Sequence, residues 1–98
     1  MVKHIVMFKL RDEATQDVPA RAKKELEAMV GVAPTLRSME VGIDFSGNNP
    51  TADLVLTSVF DDRAGLAAYA VDPVHVAFLD WFRPLIAIRT VVDYETSE

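Results

Sequence analysis

The sequence contains no cysteine, only two histidines and only ten basic residues among 98. The absence of cysteine excludes disulfides, thiolate zinc sites and cysteine nucleophiles, and it suits a reducing compartment. Fifteen acidic residues leave a formal net charge of -5. Because nucleic-acid-binding modules normally carry a basic patch or stripe, this charge indicates that the protein has no nucleic-acid partner.

Long apolar runs are also missing from the chain. No segment approaches the ~20 consecutive apolar residues of a membrane span. The opening residues Met1-Val2-Lys3-His4 lack the apolar core of a signal peptide. We therefore expect a cytoplasmic protein without a membrane partner, and a length that fits one domain over residues 1–98.

Apolar residues, by contrast, are abundant, since 50% of the chain is hydrophobic. A domain of this size has a high surface-to-volume ratio, so its surface should demand more polar residues. The excess indicates that apolar surface is left exposed or is covered by another subunit.

The hydrophobic periodicity predicts the element order β-α-β-β-α-α-β. Alternation typical of strands covers four segments: 2–10, 36–45, 52–60 and 87–95. Helical spacing covers three: 15–30, 61–71 and 73–84. This order predicts an α+β, ferredoxin-like monomer with a four-stranded antiparallel sheet and helices on one face.

The first strand is apolar on both faces. Val6 and Phe8 point to one side, and Ile5 and Met7 point to the other. Because the helices cover only one face of such a sheet, the second face would be an exposed apolar patch. We predict a homodimer in which two sheets pack face to face as a dimeric α/β barrel, with Ile5 and Met7 at the interface.

Both histidines occur in apolar patterns, and a tyrosine accompanies one of them. His4 lies on an apolar face of the first strand, and His75 begins an apolar stripe of the last helix, six residues after Tyr69. If the face bearing His4 lies beneath the helices, all three side chains converge between sheet and helices. The expected pocket walls are apolar: Val6, Phe8, Leu26, Phe78, Leu79 and Phe82.

Two histidines beside a phenol in an apolar pocket suit general acid–base chemistry on an enolisable carbonyl. That chemistry requires no cofactor, and we expect none. The alternative is that both histidines are hydrogen-bonded core residues without a chemical role. A dedicated metal site is not expected, because histidines at positions 4 and 75 with scattered carboxylates match no recognised ligand spacing.

Four segments together resemble the stress-responsive dimeric α/β-barrel domain family: VKHIVMFKLRDE, MEVGIDFSGNN, YAVDPVHVAFLDWFRP and VVDYE. The resemblance spans essentially the whole chain and implies a ferredoxin-like monomer and a sheet-to-sheet homodimer. The chain is also similar to a member that acts as a cofactor-independent polyketide cyclase. By that similarity His75 is the general base and Tyr69 orients the substrate, while His4 matches the histidine of the first strand.

Two features depart from the family pattern. Asp72 occupies a position that is often histidine, where it caps the last helix equally well but removes a proton carrier. The first helix has Ala22, Lys23 and Leu26 where the cyclase lines its pocket with aromatic residues.

Three functions follow from these patterns. The first is a stress-associated protein that binds a small apolar molecule between sheet and helices. The second is a cofactor-free enzyme for an aldol-type cyclisation, lyase or isomerase step on a polyketide-like ligand, with His75 as base. The third is a structural or assembly dimer module. The first two require that His4 and His75 border one cavity.

Overall fold

The fold was obtained as a computed structural model, which describes residues 1–97. These residues form four strands, β1 (Val2–Leu10), β2 (Ser38–Ile43), β3 (Leu54–Phe60) and β4 (Ile86–Glu95). Three helices connect them, α1 (Val18–Glu27), α2 (Arg63–Ala70) and α3 (Pro73–Phe82), with a 3₁₀ turn at Arg83–Leu85. None of the helices within residues 1–97 has the length and apolarity needed to cross a bilayer.

The strands form one antiparallel sheet in the order β2-β3-β1-β4. The predicted element order and the ferredoxin-like fold are confirmed. The central strand β1 lies between β3 and β4, so β4 forms one edge of the sheet. The pairing of β1 with β4 slips near one end, where Lys9 pairs with Ile88 but Leu10 pairs with Ile86. Ala87 is therefore an extra residue, as in a β-bulge.

One face of the sheet packs against the helices and forms the core. The alternation in β1 buries Val6 and Phe8 on this side, and their partners Leu56 and Leu54 in β3 are buried with them. The buried residues that the helices contribute are Val18, Ala22, Leu26, Gly65, Tyr69, Phe78 and Phe82. Because His4 alternates with Val6, it also faces the helices.

The opposite face of the sheet carries large apolar side chains, and none of the three helices described covers it. We call this surface the open face. Met7 is 45% exposed and Val92 is 56% exposed. Ile5 is half-buried and lies directly opposite Val92 in the pairing of β1 with β4. Such a contiguous apolar surface is unusual on a protein that functions alone.

The first helix is shorter than the predicted segment 15–30. It begins at Val18, with Pro19 in its first turn, and ends at Glu27. The backbone N–H of Ala28 still bonds the carbonyl of Lys24, after which the chain turns through Gly31 at φ 87°. Residues 28–30 leave the helix because the chain must bend back towards β2.

Candidate functional site

A cavity of about 350 Å³ lies between the helix face of the sheet and helices α2 and α3. His4, Tyr69 and His75 all line it, so the structure brings the three predicted residues together. The remaining lining residues are Val6, Phe8, Leu26, Leu56, Ala70, Phe78, Leu79, Arg83, Ile86 and Arg89. A cavity of this size with apolar walls and a few polar groups is typical of small-molecule sites.

His75 is positioned by the break between α2 and α3. The side chain of Asp72 accepts a hydrogen bond from the backbone N–H of Val74, 3.0 Å away, and Pro73 occupies the first helical position. This cap begins α3 and places His75 in its first turn. Nδ1 of His75 then lies 3.2 Å from the carbonyl oxygen of Ala70.

The contact with Ala70 determines which nitrogen of His75 is basic. A carbonyl oxygen only accepts, so Nδ1 carries the hydrogen and donates it. In the neutral ring, Nε2 is then the nitrogen with a free lone pair. Burial lowers the pKa of His75, the bond to the Ala70 carbonyl opposes this, and the charges of His4, Arg83 and Arg89 lower the pKa further. His75 is therefore in its basic, uncharged form near neutral pH.

Tyr69 lies beneath His75 and is almost fully buried. The two ring centroids are 4.4 Å apart, and the phenol also packs against Phe60 at 5.2 Å. The Tyr69 hydroxyl donates to the sulfur of Met29 over 3.3 Å. Burial, with a smaller contribution from the Asp72 carboxylate, raises the pKa of Tyr69, so the hydroxyl stays protonated.

His4 approaches the cavity from the sheet and is paired with a carboxylate. Its Nδ1 hydrogen-bonds to Oδ1 of Asp93, the residue directly opposite it in β4. The His4 side chain is 15% exposed and that of Asp93 is 46% exposed. An ionised carboxylate accepts, which holds the Nδ1–H tautomer of His4 and fixes its ring. The sequence pattern does not point to Asp93, because its contact with His4 depends on the register between two distant strands.

Of the six expected pocket walls, Phe82 alone does not line the cavity. It is completely buried and packs edge-on against Phe8, with ring centroids 5.1 Å apart. It also stacks on Phe78 at 4.9 Å. Phe82 thus supports the wall from behind, because the apolar stripe of α3 extends beyond the cavity into the core.

Two arginines that were not among the predicted site residues also line the cavity. Arg83 begins the 3₁₀ turn that follows α3, and Arg89 lies opposite Phe8 on β4. Alternation along β4 from Asp93 to Arg89 is a signal that places Arg89 on the helix face. Within residues 1–97 no three His, Asp or Glu side chains gather into a group that would hold a metal ion.

The fold and this cavity define a ferredoxin-like α+β domain with a histidine-lined pocket between its sheet and its helices. Residues 2–96 match the Stress responsive A/B Barrel Domain. The chain belongs to this family, as the resemblance in the sequence indicated.

Relatives of the chain align over nearly its full length. An uncharacterized protein of Streptomyces coelicolor is 30% identical over 97% of this chain and 99% of its own length. Olivetolic acid cyclase of Cannabis sativa is 24% identical, over 95% of this chain and 94% of the cyclase. A crystal structure from Bacteroides fragilis, described as a dimeric protein of unknown function with a ferredoxin-like fold, has 36% identity and a TM-score of 0.83. It covers 97% of this chain, with 95% of its own chain aligned.

Proposed function

We propose that this protein binds a small apolar molecule in the cavity between sheet and helices. The observation that carries the proposal is the convergence of His4, Tyr69 and His75 on one cavity of about 350 Å³. The walls are mainly aliphatic and aromatic, so they favour an apolar body. The imidazole groups supply the few polar contacts that orient a ligand.

A second candidate is a cofactor-free enzyme that uses His75 as a general base. Neutral His75 accepts a proton from the carbon next to a ligand carbonyl, and the resulting enolate attacks a second carbonyl of the same ligand. A carbon–carbon bond forms, and the new alkoxide takes back a proton. The bond from His75 to the Ala70 carbonyl favours this candidate, since it leaves Nε2 basic. The similarity to olivetolic acid cyclase also supports it.

The third candidate, a purely structural dimer module, has less support. It requires both histidines to be fully buried in the core, away from any cavity. His4 and His75 instead border the same cavity, and His75 is only half-buried.

Binding is tested by titrating the protein with octanamide, a neutral amphiphile, while NMR follows the imidazole resonances of His4 and His75. We expect saturable shifts that disappear in Leu79→Trp, which fills the cavity. Val76→Trp is the matched control, because Val76 lies on the same helix and is 43% exposed outside the cavity. Absence of any shift at millimolar octanamide, and equally at millimolar octanoate, would refute the proposed pocket.

Catalysis is tested with enolisable β-diketones and short β-polyketides, comparing the wild type with His75→Gln. We expect the variant to lose at least about a hundredfold in rate, as is typical when a general base is removed. A wild-type turnover that His75→Gln leaves unchanged would remove His75 as the base.

We also propose that two copies associate through their open faces. The exposed apolar side chains of β1 and β4 support this, and the similar Bacteroides fragilis structure is dimeric. Burying these side chains against each other would stabilise the dimer by about 25 cal/mol for each Å² of apolar surface removed from water. Ile5 and Met7 then lie at the interface.

A further inference from the structure

The charge of the cavity is opposite to that of the whole chain. The protein has a formal net charge of -5. The cavity is lined by Arg83, Arg89 and two histidines, and among residues 1–97 no aspartate or glutamate lines it. A site that concentrates positive charge within an acidic protein creates a local field that attracts anions.

In the part of the chain that the structure describes, neither arginine has an ion-pair partner. Three other arginines form ion pairs: Arg21 with Glu25, Arg37 with Asp61 and Arg63 with Glu95. Within residues 1–97 no carboxylate forms an ion pair with Arg83 or Arg89. Asp93, the nearest acidic residue along β4, is hydrogen-bonded to His4. The N–H donors of both guanidinium groups are therefore available to a ligand in the cavity.

We propose that the ligand of this cavity carries a carboxylate, which Arg83 and Arg89 bind while the apolar body lies against the aromatic walls. This inference rests on the proposed pocket and narrows its ligand to a medium-length acyl or aryl carboxylate. A guanidinium presents parallel N–H donors that match the two oxygens of a carboxylate. A phosphate would need further donors, but the Tyr69 hydroxyl is engaged by Met29 and Nδ1 of His75 by Ala70.

The two arginines reach the cavity from different parts of the chain. Arg83 follows the end of α3, and Arg89 extends from an edge strand of the sheet. Both are exposed, whereas Phe8 and Phe78 in the same wall are buried. This arrangement places the carboxylate towards the solvent end of the cavity and the apolar body towards its interior.

The experiment compares octanoate with octanamide, which have the same chain and nearly the same shape but differ in charge. Isothermal titration calorimetry at low salt measures both dissociation constants. Hydrogen bonds to a charged group are roughly twice as strong as those between neutral groups, so we expect octanoate to bind at least about tenfold more tightly. The preference should shrink as salt is added.

The variant Arg83→Gln/Arg89→Gln should abolish the preference, so that octanoate and octanamide bind with the same affinity. The matched control is Arg11→Gln/Lys24→Gln, which removes the same charge from positions outside the cavity and should preserve the preference. Equal affinities in the wild type, or a preference that survives loss of both cavity arginines, would overturn this inference while the proposed pocket stands. Failure of both probes to bind would refute the pocket itself.

Discussion

The imidazole of His75 lies over the phenol of Tyr69, with ring centroids 4.4 Å apart and ring planes tilted by 36°. The two residues belong to different helices, since α2 ends at Ala70 and α3 begins at Pro73. In one continuous helix, the side chains of residues six apart would point about 120° away from each other around the axis. The contact therefore depends on the break at Val71 and Asp72.

Removing the cap of α3 should disturb His75 as well as stability. We expect Asp72→Ala to lower the free energy of unfolding by about 1 kcal/mol, because the Val74 N–H loses its acceptor. Asp62→Ala is the control, since Asp62 caps α2 in the same way through Gly65. Both variants should lose similar stability in urea unfolding. Only Asp72→Ala should shift the His75 resonances, and equal shifts in both would contradict this account.

The pKa of His75 should make stability depend on pH. Burial lowers the pKa of His75 below its ordinary value near ~6.5, so the unfolded chain binds the proton more tightly than the folded protein. The stabilisation from neutral His75 is complete above about pH 6.5 and is lost as the pH falls through and below that value. The free energy of unfolding in urea can be compared between the wild type and His75→Gln at one protein concentration. Below about pH 6.5 the wild type should lose stability relative to the variant, because glutamine does not titrate. A difference that stays constant with pH would contradict the lowered pKa.

Tyr69 should contribute to stability through its ring more than through its hydroxyl. Tyr69→Phe removes a hydrogen bond to the sulfur of Met29, which is a weak acceptor, so we expect a loss of less than about 1.5 kcal/mol. Tyr69→Ala leaves a cavity beneath His75 and should cost about 3 kcal/mol or more. Chemical denaturation of both variants measures this. Equal losses would show that the hydroxyl carries the stabilisation.

A charge on the open face should separate the proposed dimer. In Met7→Glu the isolated chain tolerates the carboxylate, because Met7 is 45% exposed, but an unpaired charge at a closed interface is strongly unfavourable. We expect the dimer dissociation constant to rise by at least about tenfold in sedimentation equilibrium. Val32→Glu, at a loop position that is 62% exposed, should leave it unchanged. A wild type that sediments as a monomer at micromolar concentration would refute the dimer.

The fold was predictable because the strands alternate clearly. In β1, the period of two assigned His4, Val6 and Phe8 to one face, and the structure places all three towards the helices. Alternation stops being informative once a strand ends. Phe45 continues the apolar pattern of 39, 41 and 43 but lies beyond the end of β2 and is fully exposed.

The arginines of the candidate site were harder to predict for a different reason. Arg83 looks like an ordinary surface residue in the sequence, and alternation along β4 gives a signal for Arg89 alone. Only the folded chain brings both to the cavity that His75 lines. Asp93 likewise depends on a strand register that local patterns do not specify. Residues brought together by tertiary structure carry little local signal, whereas a histidine within an apolar stripe does.

The extra residue Ala87 changes which face of the sheet the residues before it in β4 point to. Ile86 and Ile88 are two positions apart and would share one face of a regular strand. Because Ala87 intervenes as an unpaired residue, Ile86 lines the cavity, whereas Ile88 pairs with Lys9 and is 45% exposed. Two identical side chains thus serve opposite surfaces of the sheet, so Ile86→Ala should weaken ligand binding and Ile88→Ala should weaken self-association.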